Sequence, residues 1–190
     1  TDIQHEYGIM NSIKHFPGHG SAKNDTHLGM ADITNTWTED ELIPFKTLID
    51  SGKVDMVMTS HIVNRKLDSV PATLSYNILN GLLRKKLGYN GIIVSDDIAM
   101  GAIADHYPLE AAMEMAINAG VDILILSNNG STFDPQIATK ALDIICRLVD
   151  TGKIPKSRIE ESHNRIKALK HKNGLYIEPY YSIIYTEEIP

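Results

Sequence analysis

Four times along the chain a short apolar run with the character of a buried strand is followed by a helical pattern. The strands are Ile9 to Lys14, Val54 to Ser60, Gly91 to Ser95 and Val121 to Leu126. No other feature constrains the fold as strongly, because strands joined by helical crossovers run parallel with the helices packed outside the sheet. The fold class is therefore α/β. Thr38-Glu39-Asp40-Glu41 reads as a capping box that opens a helix with Leu42, Phe45, Leu48 and Ile49 on one face, and Gly52 ends it. Ser75 is expected to cap the next helix, with Ile78, Leu79, Leu82, Leu83 and Leu87 inward and Gly88 as the left-handed stop. Pro108 begins a third ahead of Ala112, Met113 and Ala116. Pro135 and Ser157 open the last two, Ser157 as a capping box with Glu160.

Parallel α/β sheets carry their chemistry where strands end, and the first strand ends in Lys14-His15-Phe16-Pro17-Gly18-His19-Gly20, with Asp25-Thr26-His27 close behind. This packs three imidazoles, an ammonium and a carboxylate into turn-forming sequence. A solvated basic loop, or histidines bonding the turn, accounts for any one of these side chains but not for the cluster. The third strand delivers Ser95-Asp96-Asp97 at its end, and adjacent carboxylates there are costly unless used. Side chains alternate along a strand, so one aspartate can face a site while its neighbour turns toward backbone or caps the next segment.

Together these segments resemble the catalytic domain of glycoside hydrolase family 3, in its β-N-acetylhexosaminidase branch, which includes muropeptide-recycling enzymes. The resemblance rests on Lys14 to Gly20, Asp25-Thr26-His27, Met58-Thr59-Ser60-His61, Pro71-Ala72-Thr73-Leu74-Ser75 and Ser95-Asp96-Asp97-Ile98-Ala99-Met100, in the family's order. It runs from about Gly8 to Leu169. The expected architecture is the second half of a TIM-type barrel. Such a barrel needs eight βα units and about 250 residues, so the resemblance implies that the family's earlier strands, with an arginine and an aspartate that bind sugar, are not among these 190 residues. Residues 1–174 are expected to form this partial domain, and 175–190 a tail of unknown role.

The resemblance implies hydrolysis of terminal β-linked N-acetylglucosamine, from glycosides or peptidoglycan fragments, by a retaining mechanism that uses a nucleophile and a proton donor. Asp96 corresponds to the nucleophile and His27 to the acid and base. An unperturbed imidazole pKa of about 6.5 suits both halves of that proton transfer. Asp25 is placed to hold the other ring nitrogen of His27 and stabilise its cation. Lys14, His15, His61 and Met100 map to the substrate-binding positions, with His61 packing or hydrogen bonding rather than acting as a second acid. Gly18 and Gly20 give the loop freedom to close, and His19 is as readily structural.

Zinc is the competing chemistry for a histidine cluster, with His15, His19, His27 and Asp25 as conceivable ligands. No His-Glu-x-x-His pattern is present and Lys14 adds positive charge beside the cluster, so no metal or other cofactor is expected. Two other readings stay open: a noncatalytic sugar-binding or assembly fragment, and a related β-glucosidase or glycoside phosphorylase.

The net charge of -6 argues against nucleic acid as a partner. Arg84-Lys85-Lys86 reads as a solvated helix end, and the single cysteine, Cys146, as a core thiol without a disulfide partner. No apolar stretch is long enough for a transmembrane helix and no signal peptide is visible, while a start at Thr1 suggests an upstream native N-terminus. The compartment, cytoplasm or cell envelope, stays open. Four strands leave the sheet with two free edges, so a missing half-barrel or a second copy is an expected partner.

Overall fold

The computed structural model describes residues 1–22, 29–128 and 133–175. All four strand-then-helix units are present. Strands β1 (Ser12–Phe16), β3 (Met56–Thr59), β5 (Ile92–Asp97) and β6 (Ile123–Ile125) form one parallel sheet in the order β1-β3-β5-β6. The short strands β2 (Ala31–Asp32) and β4 (Ile62–Val63) pair parallel beside it. Helices α1 (Asp2–Glu6), α2 (Ile43–Asp50), α3 (Gly101–Ala104), α4 (Leu109–Ala119), α5 (Ile137–Asp150) and α6 (Lys156–Lys172) alternate with the strands, together with a helix over Asn77–Lys86.

Burial explains the arrangement. Val57, Ile93 and Val94 are buried on the central strands, and Leu79, Leu83, Ala112 and Ala116 are buried on the helices that cover them. Phe16, at the end of β1, is fully buried and meets Phe45 of α2 edge to face, with ring centroids 5.2 Å apart. Each fully buried side chain of this size contributes about 1.5–3 kcal/mol, so the covered sheet face and the inner stripes of the helices hold the layers together.

Local detail departs from expectation at several places. The first strand lies later than its apolar run, because Ile9 is exposed and the ladder to β3 begins at Ser12 paired with Met56. Thr38 makes no side-chain cap, and Glu41 turns away to accept the Gly20 amide at 3.1 Å. Ser75 does cap, accepting the Ile78 amide at 3.0 Å, and Gly88 adopts φ +71° as expected. Pro108 sits one residue before the first turn of α4 rather than in it. Ser157 lies within α6 and caps nothing, since Pro155 precedes the helix.

Cys146 is exposed, not core, because α5 buries only Ala141 and Leu148 fully. Arg84 is not solvated with Lys85 and Lys86. Its guanidinium reaches the buried side chain of Asp122 at 2.9 Å, and Arg158 and Arg165 meet the same carboxylate at 2.8 and 3.0 Å. Burial works against the Asp122 charge, but the Ile93 amide, Arg158, Ser162 and Arg84 outweigh it and hold the carboxyl below its usual range. This cluster ties α6 and the Asn77–Lys86 helix to the amino-terminal ends of β5 and β6. None of the helices among the described residues is long and apolar enough to cross a membrane.

Candidate active site

The predicted residues that the structure describes gather at the carboxyl-terminal ends of β1, β3 and β5. Both outer pairings slip there by one residue. Along β1 and β3, Ile13 faces Val57 but Phe16 faces Thr59, three steps against two, so an extra residue falls within Lys14-His15. Along β5 and β6, Val94 faces Ile123 but Asp97 faces Ile125, again three against two, which places the extra residue within Ser95-Asp96. Such slips re-aim side chains. They bring the His15 Nε2 to 3.8 Å from the Asp96 Oδ2, across the intervening strand β3.

The two aspartates are used differently. Asp97 accepts the amides of Ala99 and Ser127 at 3.0 and 3.1 Å on Oδ1, and the Ser127 hydroxyl donates to its other oxygen. Its carboxylate is committed to the segments that leave β5 and β6. The Asp96 carboxylate accepts only the neighbouring Asp97 amide, at 2.9 Å on Oδ1, among the described residues. Oδ2 points toward His15. The two neighbouring carboxylates thus point different ways, Asp96 toward His15 and Asp97 toward Ala99 and Ser127.

His15 lines a cleft of about 450 Å³ with Lys14, Gly18, His19, Gly20 and Glu41 among its walls. Burial lowers the His15 pKa below 6.5, Asp96 opposes that shift, and Lys14, His19 and His61 add to it. His15 is therefore neutral at neutral pH and presents one donor and one acceptor, as a sugar hydroxyl requires. The His19 ring stands edge-on to it, 6.0 Å between centroids. A second cleft of about 450 Å³, between α4, α5 and α6, is mainly apolar and contains none of the predicted site residues.

His61 is fully buried and both ring nitrogens are engaged, Nδ1 with the Thr73 hydroxyl at 2.9 Å and Nε2 with the Asp97 carbonyl at 2.8 Å. It has no free nitrogen for a ligand. Met100, half-buried, stands just before α3. Asp25 and His27 lie outside the described residues. Among the described residues no group of three or more His, Cys, Asp or Glu side chains converges as metal ligands.

Sequence reasoning missed Glu41 and Trp37. The Glu41 carboxylate takes the Gly20 amide, and the indole N–H of Trp37 donates to the Pro17 carbonyl at 3.0 Å. Together they hold the loop after His15. The only local signal near them is the Thr38-to-Glu41 spacing, which points to a cap instead. Thr59 and Thr73 were also missed, because their alternation with apolar neighbours reads as ordinary strand and turn polarity.

Comparison with known proteins finds relatives across most of the chain. The glycosyl hydrolase family 3 N-terminal domain matches residues 2–169. A β-hexosaminidase from Tolumonas auensis is 44% identical over 133 residues, covering 67% of this chain and 39% of its own length. β-Hexosaminidase A from Pseudoalteromonas piscicida is 32% identical over 182 residues, covering 87% of this chain and 30% of its own length. The solved family 3 β-N-acetylglucosaminidase of Paenibacillus sp. str. FPU-7 superposes with a TM-score of 0.81 at 32% identity, over 92% of this chain and 33% of that one. The chain thus spans well under half the length of these relatives, and its parallel α/β sheet corresponds to part of their barrel domain.

Proposed function

The chain belongs to glycosyl hydrolase family 3, and on that premise we propose that it carries the nucleophile side of a retaining β-N-acetylhexosaminidase site, acting on terminal β-linked N-acetylglucosamine in glycosides or peptidoglycan fragments. The observation that carries the reading is the contrast between two adjacent carboxylates: Asp97 is consumed by Ala99 just past β5 and by Ser127 just past β6, whereas Asp96 leaves Oδ2 facing the His15 imidazole. The names of the relatives support the substrate class.

In the first step an Asp96 oxygen bonds to the anomeric carbon as the bond from that carbon to the aglycone oxygen breaks. The departing oxygen keeps the electron pair and takes a proton from His27. In the second step water attacks the same carbon, gives its proton to His27, and frees the Asp96 carboxylate. Lys14 and His15 bond sugar hydroxyls, and Asp25 orients the His27 ring. A complementary half-barrel or a second copy, meeting the edges that β1 and β6 form among the described residues, completes the sugar pocket.

An activated fluorinated N-acetylglucosaminide that forms the glycosyl-enzyme quickly and loses it slowly tests this. Mass spectrometry of the digested protein is expected to find the sugar on Asp96, and Asp96→Asn to abolish turnover without loss of fold. Sugar on Asp97 reverses the assignment, and no covalent adduct argues for a noncatalytic sugar-binding role.

A further inference from the structure

We infer that Thr59, Thr73 and His61 are positioning residues that pin the Asp96-Asp97 segment at both ends, and through it the Asp96 carboxylate, by a closed relay of hydrogen bonds with a single proton order. The inference rests on the reading of Asp96 as nucleophile.

The three side chains are fully buried, so each polar atom must find a partner within the protein. The relay starts at the Asp96 amide, which donates to the Thr59 hydroxyl oxygen at 3.2 Å. Thr59 Oγ1 lies 2.7 Å from Thr73 Oγ1, and Thr73 Oγ1 lies 2.9 Å from His61 Nδ1. The other ring nitrogen, Nε2, lies 2.8 Å from the Asp97 carbonyl oxygen. Both ends therefore fall on adjacent residues, the amide of Asp96 and the carbonyl of Asp97.

Proton counting fixes the direction. A carbonyl only accepts, so His61 must carry its proton on Nε2. Nδ1 of the neutral ring is then an acceptor and requires the single Thr73 hydroxyl proton. Thr73 Oγ1 in turn accepts from the Thr59 hydroxyl, whose oxygen is left to accept the Asp96 amide. The alternative has Thr73 donate to the Ser60 carbonyl, 2.9 Å away. That oxygen already receives the Thr73 amide at 3.0 Å, and the alternative would need a second proton on the buried ring. Burial disfavours that cation and outweighs the Asp97 carbonyl and the Asp96 and Asp97 charges, leaving the His61 pKa below its usual value.

The segment also reaches the opposite wall. The amide and hydroxyl of Ser60 both donate to the Phe16 carbonyl, at 3.0 and 2.9 Å, immediately after His15. Thr59-Ser60-His61 at the end of β3 therefore sets the spacing between the His15 strand and the Asp96 strand, through bonds to the backbone of both.

The test combines a readout independent of activity with a kinetic one. Long-range nitrogen-proton correlation on histidine-labelled protein is expected to show His61 as the neutral Nε2–H tautomer at neutral pH. Thr73→Val, which deletes the hydroxyl at nearly constant volume, is expected to slow glycosylation of Asp96 at saturating fluorinated substrate by about ten- to a hundredfold, the scale of a misplaced reacting group. Half-saturation should not move, and Thr73→Ser should restore most of the rate. Thr59→Val, breaking the relay at its other end, should act likewise and serves if Thr73→Val does not fold. A doubly protonated or Nδ1–H ring overturns the relay, and so does an unaltered rate in both valine variants or a failure of Thr73→Ser to rescue. Sugar on a residue other than Asp96 in the wild type instead refutes the functional reading and removes the relay's proposed target, whatever the tautomer.

Discussion

Gly18→Ala is the sharpest perturbation of the loop after His15. Gly18 adopts φ +116°, and a Cβ built there would lie 2.4 Å from the Glu41 Oε2 and 2.6 Å from the Glu41 Cβ. The carboxylate can swing away, but the Cβ is fixed to the start of the helix, so the loop must move. Positive φ costs a side chain about 1–2 kcal/mol and overpacking about 1–3 kcal/mol, about 2–5 kcal/mol together. At the sensitivity of a chain this long, that lowers Tm by roughly 4–20 °C. The Gly18 amide also donates to the His15 carbonyl at 2.9 Å, so displacement of the loop should weaken sugar binding as well. Gly20→Ala is the control within the same motif, since its Cβ would come no nearer than 3.9 Å to any atom and the residue has no positive φ. Thermal unfolding followed by circular dichroism compares the two. Equal Tm values would refute the reasoning, as would full recovery of Gly18→Ala by Glu41→Ala, because that second change leaves the offending Cβ in place.

His27→Ala should depress hydrolysis of N-acetylglucosaminides with poor leaving groups far more than that of activated aryl glycosides, since only the former need a proton to depart. Equal losses in a steady-state comparison would remove the acid role. Asp122→Asn keeps the shape but leaves Arg84, Arg158 and Arg165 without their shared counter-charge. A cost of about 3–5 kcal/mol is expected in denaturant titration, and a change below about 1 kcal/mol would show that solvent already compensates those cations. His15 and His61 have folded pKa values below 6.5 through burial. The unfolded chain takes up protons there first, so their contribution to stability is present above pH 6.5 and is lost as pH falls below it. Tm measured against pH should decline in that window, and less steeply in His61→Gln.

The layers of the fold were legible because each strand is a short apolar run bounded by turn residues, as in Gly91-Ile92-Ile93-Val94. Buried hydrophobic pattern is a local signal. What escaped was decided by partners distant in sequence. Arg84 sits beside two exposed lysines and looks like them, yet Asp122, 38 positions on, draws it inward. Glu41 has the spacing of a capping residue, but the Gly20 amide, 21 positions back, competes for it. In the candidate site, the motifs around His15 and Asp96 pointed to those two residues, while the one-residue slips of β1 and β5 that face them toward each other leave no mark in composition or period.

The two ends of the sheet solve opposite problems with the same material. At the amino-terminal end, Asp122 is satisfied by three guanidiniums, a hydroxyl and the Ile93 amide, and the Tyr89 hydroxyl donates to the Ile92 carbonyl at 2.9 Å. Charge there is neutralised and closed off. At the carboxyl-terminal end the buried groups Thr59, Thr73 and His61 are neutral, and the Asp96 carboxylate they support keeps Oδ2 facing a neutral imidazole rather than a bonded cation. A guanidinium paired with Asp96 would hold that carboxylate as tightly as Asp122 is held, and would blunt it as a nucleophile. For the proposed nucleophile, neutral supports fix direction without capturing the lone pairs that are to attack carbon, so a histidine kept unprotonated by burial suits this position and a lysine or arginine would not.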